Sequence, residues 1–276
     1  MPELPEVETV RRHLTAGIEG STVVSVEVGH PRTARRQPNP ADLVDRLLGR
    51  RVEKVGRRGK FLMIDVGGDF TWVIHLGMSG RVSLDPPGEE RSPHTHLVVG
   101  FDNGIELRLV DPRTFGFSAV YTDEELAGSP LRLLGADAWE EPLTTSELGA
   151  RLAGRTAPIK PLLLDQRIVA GLGNIYADEA LFRAGIRPQR PGGSLGEEEV
   201  ARLVEAIPPV VAAALADGGT SLGDLAYLLP DGRAGEHLDR LAVYGRAGEP
   251  CHRCGTPIER AVLQGRSTHW CPVCQR

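Results

Sequence analysis

Cysteine is scarce in this sequence, and its distribution is the first constraint. Four cysteines occur in 276 residues, all within 251–276, so nothing can cross-link the first 250. Long apolar runs are missing too: none approaches the ~20 residues of a membrane-spanning helix. The acidic N-terminus lacks the apolar core of a secretion signal. A cytoplasmic location with no membrane partner is therefore expected. Internal repeats and low-complexity tracts are absent. An overall excess of basic charge is absent as well, since the net charge is −5, which speaks weakly against nucleic acid. What remains is 41% hydrophobic and 25% charged, a soluble globular composition long enough for two domains.

The global charge conceals a local one, and binding needs only a local basic face. Residues 31–60 hold ten basic side chains (Arg32, Arg35, Arg36, Arg46, Arg50, Arg51, Lys54, Arg57, Arg58, Lys60) against Asp42, Asp45 and Glu53, a local charge of +7. A solvated surface is the ordinary fate of a charge run; an excess of one sign suits phosphate equally well.

The patterning predicts an α+β chain of two domains. Residues 23–29 read as a strand, 30–40 as a loop and Ala41 to Leu48 as a short helix. Strands are expected at Lys60 to Val66 and Phe70 to Leu76, around a Gly67-Gly68-Asp69 turn. Two more, Thr95 to Phe101 and Ile105 to Val110, flank Asp102-Asn103-Gly104, a strong hairpin signal. Phe117 to Tyr121 follows. This antiparallel half suggests a β-sandwich. Helical spacing then appears at 145–153, 159–166, 175–184, 197–206 and 209–217, with Pro208-Pro209 expected to split the last two. A mixed loop covers 220–240. The expected domains are 1–130, 135–230 and a cysteine module at 240–276.

The first fourteen residues, MPELPEVETVRRHL, hold the most chemistry. A small residue after Met1 favours removal of that methionine, leaving Pro2 as a free secondary amine, and an α-amine titrates near pH 8. A helix is predicted, with Pro5 early and Val7, Val10 and Leu14 on one face. Glu3, Glu6 and Glu8 lie at its positive end, Arg11, Arg12 and His13 toward its negative end. A capped amphipathic helix is the ordinary interpretation. An amine nucleophile with a neighbouring carboxylate to move protons is the functional one. At the other end, Cys251-x-x-Cys254, sixteen residues, then Cys271-x-x-Cys274 has the spacing of a closed tetrahedral zinc site. Two disulfides or four free thiols are the alternatives. The intervening segment fits a hairpin with Gly265 in its turn and Arg266 projecting from the tip.

Further motifs lie between. Lys160 to Glu179, KPLLLDQRIVAGLGNIYADE, carries Gly171-Leu-Gly-Asn174. No strand precedes it to make a dinucleotide loop and no Lys-Ser/Thr follows to make a nucleotide one, so no nucleotide cofactor is expected. A glycine turn opening a helix offers amides to an anion; a plain N-cap at Asn174 is the structural alternative. Arg57-Arg-Gly-Lys-Phe61, His75-Leu-Gly-Met-Ser-Gly80, Asp111-Pro-Arg-Thr-Phe-Gly116 and Val243-Tyr-Gly-Arg246 complete the set. On ordinary grounds Lys60 would be an exposed lysine at a strand start, and His75 and Met78 packing residues.

Together these motifs, in this order and over the whole chain, resemble the formamidopyrimidine-DNA glycosylase and endonuclease VIII family. The resemblance to its bacterial formamidopyrimidine-type members implies the following. The fold is an N-terminal antiparallel β-sandwich with flanking helices, then a helical domain with a helix–two-turns–helix element and a four-cysteine zinc-finger hairpin. The enzyme excises oxidised purines from duplex DNA and cleaves the abasic strand. Pro2, Glu3, Lys60 and Arg266 are the catalytic set, with Lys60 facing the lesion-side phosphates and Arg266 gripping DNA phosphate. His75 and Asn174 bind phosphate, and Lys160 lies near the damaged base. Met78, Arg113 and Phe115 enter the duplex. Cys251, Cys254, Cys271 and Cys274 hold one structural zinc. The partner is damaged double-stranded DNA, bound by a monomer in the bacterial cytoplasm and nucleoid. An endonuclease VIII-type enzyme acting on oxidised pyrimidines is the alternative; a DNA-damage-binding protein without activity would have lost Pro2 or Glu3. Two departures matter. Thr114 stands where relatives often have a second Arg. In the loop at 227–238, Glu236-His237 replaces a frequent Tyr-Phe, which leaves the base preference open. Glu6 either supports Glu3 or only caps the helix.

Overall fold

The computed structural model describes residues 2–221 and 227–276 and divides them into two compact units. The first comprises residues up to Arg132 together with Asp217–Glu236; the second comprises Leu133–Ala216 and His237–Arg276.

The first unit opens with α1 (Leu4–Ile18), whose Val7, Val10, Leu14 and Ile18 are buried at helical spacing. It runs four residues past the predicted face. Arg11, Arg12 and His13 are therefore mid-helix rather than at the negative end, and Arg11 and Arg12 bind Glu8 instead. Then come β1 (Val23–Val28), α2 (Ala41–Leu47), β2 (Lys54–Arg58), β3 (Phe61–Asp65), β4 (Phe70–His75), β5 (Arg81–Asp85), β6 (Thr95–Phe101), β7 (Glu106–Val110), β8 (Phe117–Thr122) and α3 (Asp123–Gly128). The strands form two four-stranded antiparallel sheets, β1-β6-β7-β5 and β2-β3-β4-β8. Their inner faces, with α1 and α2, share one core that includes Leu62, Trp72, Ile74, Leu97 and Leu109. The expected sandwich is present. Two strands escaped the sequence: β2 is charged and β5 alternates too briefly, and each is defined by pairing with a distant partner.

The second unit contains β9 (Ala136–Asp137), α4 (Thr145–Leu152), α5 (Ile159–Leu164), β10 (Val169–Ala170), α6 (Asn174–Ala184), α7 (Glu197–Ala216), β11 (Glu259–Leu263) and β12 (Arg266–Trp270). One expectation fails here. Pro208 and Pro209 do not split a helix; both lie inside α7. Each removes an amide from the ladder, but Val200, Leu203, Ala206, Ile207, Val211, Ala214 and Leu215 form one buried stripe through them. α7 packs along α6, and that burial outweighs the lost bonds. The chain then returns to the first unit. Gly218 and Gly219 hold positive φ, and a Cβ on Gly219 would meet Glu6 Oε1 at 2.8 Å. No helix here is long and apolar enough to cross a membrane, among the described residues.

Candidate functional site

The amino end of α1 is sealed in the first unit. Pro2 is buried, and Glu3 and Glu6 are each 2% exposed. The Glu3 N–H donates to Glu6 Oε2 (2.7 Å), and the Thr220 N–H donates to Glu6 Oε1 (2.8 Å). Both oxygens of Glu6 thus receive main-chain amides, which cap α1 and tie down the returning chain. Glu8 accepts from Arg11, Arg12 and buried Arg57. Burial alone would raise its carboxyl, but these three guanidinium groups hold it below the ordinary value. Met1 lies outside the described residues.

Lys60 is not an exposed strand-start lysine; it is buried, 6% exposed, in the two-residue turn joining β2 to β3. Gly59 leads that turn with φ +56°. The strand pair Phe61 and His75 brings the Lys60 ammonium close enough to His75 to disfavour its protonation. Burial first, then Lys60, Arg35 and Arg36, lower the His75 pKa to about 4. The Gly77 N–H donates to His75 Nδ1 (3.2 Å). The neutral ring therefore carries its proton on Nε2, as a donor. In the unfolded chain this histidine titrates near 6.5. Its folded pKa is lower, so the unfolded state takes up the proton first and stability falls as pH drops from 6.5 to 4. Urea unfolding is expected to show the wild type losing on the order of 2 kcal/mol more than His75→Asn across that window. Equal losses in the two proteins would show that His75 is not held neutral.

Met78 and Phe115 lie on adjoining loops. Asp111, 2% exposed, joins them: Ser79 Oγ donates to Oδ1 (2.6 Å) and the Gly116 N–H donates to Oδ2 (2.7 Å). Arg113 makes no ion pair with Asp111. Its guanidinium lies 4.8 Å over the ring of Phe115, which is 42% exposed. Thr114 takes φ +53° between them. Much of the basic run is engaged within the protein: Arg46 pairs with Glu125, Arg51 with Glu53 and Arg57 with Glu8. Beyond β5 and β7, Leu228–Gly232 covers a cavity of about 380 Å³ lined by Arg81, Ser83, Asp85, Arg108 and Asp231.

In the second unit, Lys160 is fully buried. Its Nζ lies 2.8 Å from Asp178 and donates to the Ser267 carbonyl (2.7 Å). Asn174 is not the N-cap of α6, which is Gly173. Its Nδ2 donates to Ser267 Oγ (3.3 Å) and Tyr244 Oη (3.5 Å). Both partners are hydroxyls that can donate or accept. Its Oδ1 is buried without a hydrogen-bond partner among the described residues. Two carboxylates escaped the sequence reading. Asp178 Oδ2 accepts the His269 N–H (2.9 Å), and Glu179 accepts the N–H groups of Ala242, Val243 and Tyr244. Burial raises the Glu179 carboxyl despite those three bonds. The available signal was an acidic pair in the apolar run of α6. His237, one of the two departures in the loop, is buried beside the Tyr176 ring, while Glu236 is exposed.

The four cysteine sulfurs lie within 4.8 Å of one another, with Cys254–Cys271 at 3.5 Å and Cys251–Cys274 at 4.0 Å. Four thiolates at ~2.3 Å from one ion stand about 3.8 Å apart, so this set fits zinc. The β11–β12 hairpin turns at Gln264-Gly265, both at positive φ, and leaves Arg266 exposed next to its tip.

Comparison with known proteins agrees with the family resemblance and the fold. Family models match for the formamidopyrimidine-DNA glycosylase N-terminal domain over residues 1–118, its H2TH domain over 134–225, and the zinc finger found in FPG and IleRS over 248–276. The cysteines accordingly hold one structural zinc. Formamidopyrimidine-DNA glycosylase of Rhizorhabdus wittichii is 48% identical over 277 residues, covering 100% of both chains. The MutM (Fpg) protein of Thermus thermophilus superposes with a TM-score of 0.89 at 44% identity, covering 99% of this chain and 98% of that one. A Lactococcus lactis FPG mutant in complex with Fapy-dG-containing DNA superposes with 0.91 at 36% identity over 100% of both. The chain belongs to the formamidopyrimidine-DNA glycosylase family.

Proposed function

We propose that this chain is a bifunctional DNA glycosylase and abasic-site lyase that removes oxidised purines from duplex DNA. The observation that carries this is the buried Pro2-Glu3 end of α1, pinned by Glu6. The Lactococcus relative bound to Fapy-dG-containing DNA and to abasic-site DNA supports the substrate. A base inside a duplex is out of reach, so the nucleotide is first flipped out. The Pro2 nitrogen attacks C1′ of the deoxyribose and the bond to the base breaks. Glu3 moves protons as the sugar ring opens. The resulting iminium acidifies C2′; loss of that proton expels the 3′ phosphate, and a second elimination expels the 5′ phosphate.

Lys60, Arg266, His75 and Asn174 would take phosphates. His75 would do so as a neutral Nε2 donor. Lys160 would act through Ser267, the residue after Arg266, rather than at the base itself. Functionally the chain would divide into a catalytic part, a helix–two-turns–helix part and a zinc-finger part, working as a monomer. A second activity, on oxidised pyrimidines, is favoured by one observation: the Lactococcus enzyme has also been captured with oxidised-pyrimidine DNA.

Met78 and Phe115 would fill the gap left by the flipped nucleotide. Arg113, with donors and no acceptor, would favour the O2 and N3 acceptors of cytosine over adenine in the partner strand. Single-turnover assays on duplexes with one oxidised guanine should give fast excision opposite C and slow excision opposite A. Arg113→Ala should narrow that ratio several-fold while borohydride trapping on single-stranded abasic DNA stays near wild type. Absence of excision from any such duplex would overturn the function, and an unchanged ratio would remove Arg113 from partner reading.

A further inference from the structure

Arg35 belongs to the basic run, where a phosphate contact would be its obvious use, but its donors are directed elsewhere. Nη1 donates to the Gly116 carbonyl and to the Arg32 carbonyl (2.7 Å), and Nη2 donates to the Phe115 carbonyl (2.7 Å). Its carbon centre lies 5.6 Å over the Phe117 ring. The peptide that Arg35 grasps is the one that carries the exposed wedge. Phe115 is too exposed to be held by packing, and Thr114 before it takes a left-handed conformation that resists holding on its own. The same backbone is gripped from two other sides. Asp111 accepts the Gly116 N–H, and Gly77 abuts the peptide so closely that a Cβ would lie 2.5 Å from the Phe115 carbonyl carbon. Only the carbonyl side depends on Arg35.

We propose that Arg35 is a positioning residue whose guanidinium fork clamps the Phe115 and Gly116 carbonyls, so that Arg113 and Phe115 enter the duplex as one rigid wedge. This rests on the proposed role of Arg113 in reading the partner base. A fork with two donor branches can span adjacent carbonyls; the single ammonium of lysine cannot reproduce that, although it keeps the charge. Lysine does serve equally well against a phosphate, which makes the substitution discriminating.

The full-length protein would be compared with Arg35→Lys and Arg35→Gln. The measurements are single-turnover excision opposite C and A, affinity for undamaged duplex against salt, and hydrogen exchange of the 113–117 amides. Arg35→Lys is expected to narrow the C-to-A ratio several-fold and to speed exchange of these amides at least tenfold. Undamaged-duplex affinity, its salt dependence and the thermal midpoint should stay at wild-type values. If Arg35→Lys keeps both the ratio and the slow exchange, the clamp is overturned. A salt slope reduced by about one in Arg35→Gln, with ratio and exchange intact, would make Arg35 a phosphate contact instead. Should Arg113→Ala itself leave the ratio unchanged, partner reading fails and exchange alone decides: faster exchange in Arg35→Lys supports the clamp, unchanged exchange overturns it.

Discussion

A protein carrying one extra residue ahead of Pro2 is expected to release no damaged base, a loss of at least about 10³-fold, or roughly 4 kcal/mol of transition-state stabilisation. The extension turns the Pro2 nitrogen into a tertiary amide with no lone pair to offer. It leaves unchanged the α1 cap built by Glu6 and the wedge loops. Pro2→Gly keeps an amine but a primary, less constrained one, and should weaken trapping rather than abolish it. Borohydride reduction of the protein on abasic or oxidised-guanine DNA measures this directly, because only a covalent iminium is fixed by reduction. The environment suits the assignment: Pro2 is buried at the amino end of α1, and Glu3 beside it is almost free of solvent. Undiminished excision by the extended protein would eliminate Pro2 as the nucleophile.

Removing zinc is expected to cost most of the DNA affinity without touching Pro2. An isolated two-stranded hairpin is marginal in water, and β11–β12 is five residues a side. Metal binding in zinc-finger peptides contributes about 10–16 kcal/mol of folding free energy. Asp178 and Lys160 hold the hairpin backbone at His269 and Ser267, but Gln264, Gly265 and Arg266 lie beyond their reach. Purified protein should carry one zinc per chain. Cys254→Ser should lose metal and duplex binding together, whereas Arg266→Ala should weaken binding and keep the metal. Full duplex affinity in metal-free protein would show that the hairpin does not need its ion.

The contrast between these two sites explains what could be read from residues alone. The cysteine spacing, the Gln264-Gly265 and Asp102-Asn103-Gly104 turns and the buried face of α1 are local: chain geometry over a few residues decides them. The family motifs were legible for the same reason, being short and contiguous. Roles that depend on distant partners were not. Lys60 read on ordinary grounds as an exposed lysine, yet it is buried, and Lys160 is fully buried against Asp178, eighteen residues on, and Ser267, over a hundred residues on. Arg35 read as one charge in a run until the carbonyls of Phe115 and Gly116 arrived from eighty residues away.

The order of sandwich then helices, the zinc ligands and the candidate nucleophile were written in the chain itself, because periodicity, spacing and a proline behind the first methionine are local properties. Other features came only with folding: Pro208 and Pro209 stay within one helix, Glu6 tethers Thr220, and Asp217–Glu236 returns to the first unit. In each case a long-range burial or hydrogen bond outweighs a local preference, and its partner is not encoded nearby.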